Sequence, residues 1–140
     1  MPLLDTCILS AMRKIQLYPQ PRLLDWFKSH LETSYYICSI SIGEIERGIS
    51  KLPSEHHGKM LLEDWFHGQL LSQFAGRILN YDKDAAIRWG RIIAESEKKG
   101  RSLFISDSQI AAIADTHNLI VVTFNVKDFQ DVVPVVNPLL

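Results

Sequence analysis

PLLDTCIL, residues 2–9, is an apolar run broken by a single carboxylate, and the way that break is read decides how the rest of the chain is arranged. Leu3 and Leu4 fit a short buried strand, with Asp5 at its carboxyl end. A carboxylate at the edge of a core costs roughly several kcal/mol unless a partner, a metal ion or a helix amino end offsets the lost hydration. Two readings meet that demand. Asp is a favoured N-cap and Ile8, Leu9 and Met12 continue at helical spacing, so Asp5 caps a helix that starts at Thr6 or Cys7. Alternatively, Asp5 is one member of a site that residues from elsewhere in the chain complete.

Further along, Pro19 and Pro21 precede LLDWFKSHL, in which Leu23 or Leu24, Phe27 and Leu31 repeat at helical spacing and Pro21 suits the first turn. Tyr35 to Cys38 reads as a second strand and leads into SISIGEIERGI, a helix with Ile42, Ile45 and Ile49 on one face. There Ser41 and Glu44 have capping-box spacing, and Glu44 also lies just past a strand, as Asp5 does. His56 and His57 sit in a polar connection and read as solvated. Residues 60–74 form a long helix with Leu61, Leu62, Trp65, Phe66 and Leu70 on a broad apolar side. Gly76 ends it, and residues 77–79 form a weak strand. Asp82 or Asp84 caps the next helix, which faces Ala85, Trp89, Ile92 and Ile93 inward and stops at Gly100. Ser106 and Gln109 repeat the capping-box spacing and place Asp107 in the first turn of a helix that closes at His117 and Asn118. Leu119 to Thr123 is a β-branched run typical of a buried parallel strand, followed by FNVKDF, and residues 132–136 form an edge strand because Pro134 lacks a ladder donor.

The chain has 140 residues, 46% of them hydrophobic and 22% charged, which suits a single globular domain spanning residues 1–140. The formal net charge of −1 excludes a globally basic nucleic-acid clamp and leaves room for local patches or a metal. Asp5 interrupts the first apolar run too early for a signal peptide and no run approaches membrane-spanning length, so a cytoplasmic protein is expected. Cys7 and Cys38 have no metal-ligand or redox spacing and read as reduced core thiols.

Strands alternating with helices imply an α/β fold with three layers, a mostly parallel central sheet carrying helices on both faces. Ligands in such sheets bind beyond the carboxyl ends of the strands. Asp5, Glu44, Asp107 and either Asn125 or Asp128 all follow strands or lie near the start of the next helix, so the topology gathers them at one edge. Like charges held together raise one another's pKa, and a divalent cation relieves that repulsion. All-oxygen donors suit Mg²⁺ or Mn²⁺, whose usual chemistry in acidic sites is phosphoryl transfer or phosphodiester hydrolysis.

The segments LLDTCILS, SISIGEIERGI, SDSQIAAIA and VVTFNVKDF resemble, in order and spacing, the motifs of the PIN domain as found in the VapC toxins of bacterial toxin–antitoxin modules, especially the FitB-like branch. The resemblance runs essentially end to end. It implies a PIN-like fold and a Mg²⁺-dependent endoribonuclease toxin, with Mn²⁺ able to substitute, acting on RNA, inhibited by a cognate antitoxin and dimeric in solution. Asp5, Glu44 and Asp107 match the acids that hold the metal, and Asn125 matches a fourth catalytic position that is Asp or Asn in relatives. Cys7 stands where relatives commonly carry Asn, and Phe124 where an Arg is frequent.

The expected reaction is metal-assisted hydrolysis of an RNA phosphodiester, with Asp5 and Asp107 as principal ligands and Glu44 either a ligand through water or the group orienting the attacking water. Thr6 and Ser41 are candidates to hold the carboxylates or the phosphate, Ser41 being equally a plain cap. Arg13, Lys14, Arg47 and Lys127 are candidates for phosphate contacts, against the ordinary expectation that they are solvated. Trp26, Phe27, Trp65 and Phe66 offer more apolar surface than one face hides, which points to a homodimer with a groove that receives an antitoxin segment near the acids. Two other classes compete. A receiver or a phosphatase of the haloacid-dehalogenase kind needs further acids near the amino terminus, and Cys7 stands where the phosphatase requires a second Asp. A catalytically weak PIN-like module acting only through its antitoxin or another partner needs its acids merely as caps.

Overall fold

The computed structural model describes residues 1–15 and 17–140. The strands are β1 (Pro2–Leu4), β2 (Ile37–Cys38), β3 (Ile78–Leu79), β4 (Ile120–Val122) and β5 (Val135–Val136), and each pairing between them is parallel. β1 lies beside β4 and β4 beside β5, while β2 pairs with β3. A parallel bridge between Leu3 and Tyr36 joins the two groups, with Leu4 N donating to the Tyr36 carbonyl at 2.9 Å and Tyr36 N to the Pro2 carbonyl at 2.9 Å. The spatial order is therefore β3, β2, β1, β4, β5. The chain winds outward from β1 in one direction and later returns to the other side of it, which puts the reversal of winding between β1 and β4. That is the position where open parallel sheets leave a crevice beyond their strand ends.

Alternation along these short strands builds two cores. Leu3 and Val121 face one side of the sheet with Ile110, Ile113 and Ala114. Leu4 and Val122 face the other, with Ile8, Ile45, Phe66 and Phe74. The first core is covered by α6 (Lys83–Lys98) and α7 (Ile105–Thr116), and the second by α1 (Thr6–Lys14), α2 (Pro21–Lys28), α3 (Ser39–Ser50) and the helix that begins as α4 (Lys59–Glu63). The three layers expected from the alternation of elements are present.

Local chemistry sets most boundaries. Pro21 opens α2, and the Asp82 side chain accepts from Ala85 N at 3.0 Å to cap α6. Gly76 and Gly100 take φ of +82° and +69°, the left-handed conformation that lets a helix end without a Cβ penalty, and Asn118 does the same after α7 with φ of 55°.

Both capping boxes fail. α3 starts at Ser39 with Cys38 in the cap position, so Ser41 is already inside the helix and buried, and Glu44 falls in the second turn. α7 starts at Ile105 after Phe104, whose side chain makes no capping bond, so Ser106 does not cap it. Two apolar assignments also change. Leu31 lies past the end of α2 and is 77% exposed, and Leu61 is 64% exposed, since α4 passes into a π-helical stretch (Asp64–Leu70) that rotates the apolar side before the last turn, α5 (Leu71–Gln73). Phe66 is fully packed, whereas Trp26, Phe27 and Trp65 are half-buried against the same core, which leaves less unclaimed aromatic surface than the spacing suggested. Among the described residues no helix is long and apolar enough to cross a membrane.

Candidate active site

Asp5 leaves β1 in extended conformation, φ −72° and ψ 161°, and becomes the N-cap of α1. Only 4% of it is exposed. Its Oδ1 accepts from Thr6 N at 2.8 Å, and its Oδ2 accepts from Thr123 Oγ1 at 2.7 Å and from Cys7 Sγ at 3.6 Å. The capping reading of Asp5 is thus met, though by only one of its oxygens. One oxygen serves the helix, and the other faces β4 across the reversal of winding. Burial pushes the Asp5 pKa up and the Glu44 charge adds to this, opposed by the bonds from Thr123, Thr6 and Cys7.

Thr123 was not legible as a site residue. It is a buried hydroxyl directly after the apolar strand β4, which in retrospect is the available signal. It donates to Asp5, while the Asn125 N–H donates to its Oγ1 at 3.0 Å. A Thr123→Val change leaves the Asn125 N–H unpaired and Asp5 Oδ2 with only the long Cys7 contact, so a loss of about 1–3 kcal/mol in urea unfolding is expected, with Thr123→Ser nearly neutral. Equal midpoints for parent and valine variant would remove Thr123 from this account.

Thr6 joins α1 to α3. Its hydroxyl donates to Glu44 Oε1 at 2.7 Å, and since it has one hydrogen, Ser41 Oγ at 2.9 Å faces its lone pairs. This contact, rather than a capping box, fixes the Glu44 carboxylate. Asp107, in the first turn of α7, is half-buried, and its pKa is pushed up to about 6, first by burial and then by the charges of Asp5, Asp128 and Glu44. The charges of Asp5, Asp128 and Glu44 therefore all reach Asp107. None of the ion pairs among the described residues involves any of them.

Asn125 is exposed, and its backbone is what reaches the site, through Thr123. Asp128 is half-buried and its N–H donates to the Asn125 carbonyl at 3.0 Å. Arg13 and Lys14 line a cleft with Thr6 and Glu44, bounded by Ile45, Ile49, Leu62 and Trp65. Lys127 lines a second cleft beside Asp128, and Arg47 is solvent-exposed. Cys7 and Cys38 are free thiols, in keeping with the expectation. His56 and His57 are exposed, and His56 Nδ1 accepts from Gly58 N at 3.1 Å.

Among the described residues no three His, Cys, Asp or Glu side chains stand close enough to ligate one ion between them as they are. The donor set nevertheless suits a hard cation. Mg²⁺ keeps several of its waters and is usually bound through one or two carboxylates, so it does not need a complete protein cage. Carboxylates that take part in no ion pair among the described residues fit that mode.

A family model for the PIN domain matches residues 3–133. The chain belongs to the PIN domain family. It is 31% identical over 129 residues to the toxin FitB of Neisseria gonorrhoeae, covering 92% of this chain and 91% of FitB. It is 26% identical over 139 residues to a VapC ribonuclease of Sinorhizobium fredii, covering 99% and 97% of the two chains. The solved structure of FitAB bound to a DNA fragment superposes with a TM-score of 0.87 at 30% identity, covering 100% of this chain and 96% of the other. The PIN fold thus accounts for the sheet order.

Proposed function

We propose that this PIN-domain protein is a Mg²⁺-dependent endoribonuclease toxin of a toxin–antitoxin pair, hydrolysing RNA phosphodiester bonds at the acidic edge of the sheet. The observation that carries the reading is the Asp5 carboxylate, buried where the winding reverses, with the Glu44 charge acting on it, the Asp5, Glu44 and Asp128 charges acting on Asp107, and none of the four in an ion pair among the described residues. The names of the VapC ribonuclease and FitB relatives supply the substrate class and the toxin role.

Asp5 and Asp107 are the principal ligands in this reading, Glu44 contributes through water, and Asp128, rather than the exposed Asn125 side chain, completes the acidic set. A bound Mg²⁺ or Mn²⁺ lowers the pKa of water and offsets phosphate charge. The chain's own groups do the rest. Thr123 and Thr6 N hold the Asp5 carboxylate in one orientation, so no reorganisation is needed when the site is loaded. Thr6 holds Glu44 with one oxygen committed and the other available to a water. Arg13 and Lys14 border the cleft that leads to Glu44 and offer phosphate contacts along it. Purified protein incubated with RNA and Mg²⁺ is expected to cleave it and to stop when chelator is added. Cleavage unaffected by chelator would overturn the metal assignment.

The same cleft, about 230 Å³, suits an antitoxin segment, whose apolar side chains would pack on Ile45, Ile49, Leu62 and Trp65 and whose basic group would reach Glu44. Trp65→Ala is expected to weaken the cognate antitoxin by at least about tenfold, in line with the roughly 2 kcal/mol of a buried aromatic anchor, measured by titration calorimetry. Unchanged affinity would move the antitoxin elsewhere. A homodimer is part of the same reading, and light scattering of the isolated protein tests it.

A further inference from the structure

The segment between α6 and α7 carries a cation whose contacts run to one loop. Arg101 Nη2 donates to the Lys127 carbonyl at 2.9 Å and Nη1 to the Gln130 carbonyl at 2.9 Å, with Asp131 Oδ2 at 3.5 Å from Nη1. The Arg101 backbone N–H donates to the Ser96 carbonyl at 2.8 Å, which ties the residue to the last turn of α6. The loop so gripped leaves β4 and carries Asn125 and Asp128. Its other anchors are the Asn125 N–H on Thr123 and the fully buried Phe129 ring. Asp131 takes φ of +71°, the left-handed conformation that few L residues adopt, and Arg101 is the charged partner facing its carboxylate there. Arg101 and Asp128 also line one narrow cleft of about 150 Å³ together with Lys127 and Phe104, the residue that leads into α7 and Asp107.

An ordinary surface ion pair does not account for this arrangement. Asp131 is 81% exposed against 28% for Arg101, so their attraction is screened by solvent. The directional contacts are the two carbonyls, taken by the planar fork that arginine has and lysine lacks. They lock the turn on which Asp128 sits to the segment that sets the start of α7.

We infer that Arg101 is a positioning residue that fixes the reach of Asp128 towards Asp107 and so sets how tightly the acidic edge holds a divalent cation. The inference rests on the metal-nuclease reading above, and Mn²⁺ binding to the full chain tests it without any activity measurement. Arg101→Ala and Asp128→Asn are each expected to weaken Mn²⁺ by about 10–100-fold, the usual effect of losing a group that orients or completes a metal site. The double variant is expected to bind no more weakly than Asp128→Asn, because Arg101 acts through Asp128. Arg101→Lys, which keeps charge and one carbonyl contact, is expected to fall between parent and alanine variant, and it carries the test if the alanine variant does not fold. A variant with a lowered melting temperature but the parent's Mn²⁺ affinity, or an equal loss in the Asp128→Asn background, makes Arg101 a staple of the fold only and overturns the inference. A parent that does not bind Mn²⁺ overturns the metal reading itself, and the inference with it.

Discussion

Asp107→Asn and Asp5→Asn are each expected to lose at least about a hundredfold of RNA cleavage with Mg²⁺ present, while the far-ultraviolet dichroism of both is expected to stay that of the parent. The size follows from the position of the two acids, since even residues that only orient a metal ligand cost about 10–100-fold when removed. The unchanged fold follows from what each carboxylate touches. Asn caps a helix about as well as Asp, so the Thr6 N–H keeps an acceptor in Asp5→Asn, and the amide nitrogen is left to donate to the Thr123 hydroxyl. Asp107 is not the N-cap of α7, and its removal leaves the Phe104 start of that helix untouched. Initial rates on a defined RNA check the first statement and dichroism the second. A single variant that cleaves at the parent's rate displaces its residue from the site.

What the chain shows in advance is what local chemistry decides. Asp5 stands out since an acid interrupts an apolar run, Asp82 since a short polar side chain precedes helical spacing, and Gly76 and Gly100 since a left-handed φ needs no Cβ. The placement of Glu44 and Asp107 near one sheet edge follows from strand and helix order alone. Spacing misleads where it has two causes. Ser41 and Glu44 are three apart as in a capping box, but they are adjacent on any helix, and Thr6 from another helix settles what they do. Thr123 and Arg101 are illegible for a related reason. Thr123 meets Asp5 across 118 residues and Arg101 grips carbonyls 26 and 29 residues away, and a backbone carbonyl leaves no mark in a sequence. The π-helical turn at residues 64–70 shifts the apolar side by a rotation that a fixed helical period does not contain.

Metal-free stability is expected to fall as pH rises from about 4 to about 6, and Asp107→Asn is expected to flatten that slope. Asp107 is held at about 6 in the folded protein against an ordinary 3.8, so between those values the folded state binds more protons than the unfolded one. Stability therefore decreases with pH across the window, and the whole cost is present above about pH 6. The raised pKa of Asp5 acts in the same direction. Converted in full, the Asp107 rise is about 3 kcal/mol, and because the side chain is only half-buried, solvent screening brings it nearer 1–2 kcal/mol. The favourable field of a helix amino end, about 0.3–1 kcal/mol, is already outweighed, or the pKa would lie low. At pH 7 without metal, Asp107→Asn is then expected to melt higher than the parent by roughly 3–8 °C. Mn²⁺ at a hundredfold excess over its Kd is expected to stabilise the parent by about 2.7 kcal/mol, and the variant by much less. An acid present only for its helix gives the opposite pattern, with the variant less stable at pH 7 and neither protein responding to metal. Thermal melts of both proteins at pH 4.5 and pH 7, with Mn²⁺ and with chelator, separate the two, and a destabilised, metal-indifferent Asp107→Asn beside an equally indifferent parent would falsify the acidic site.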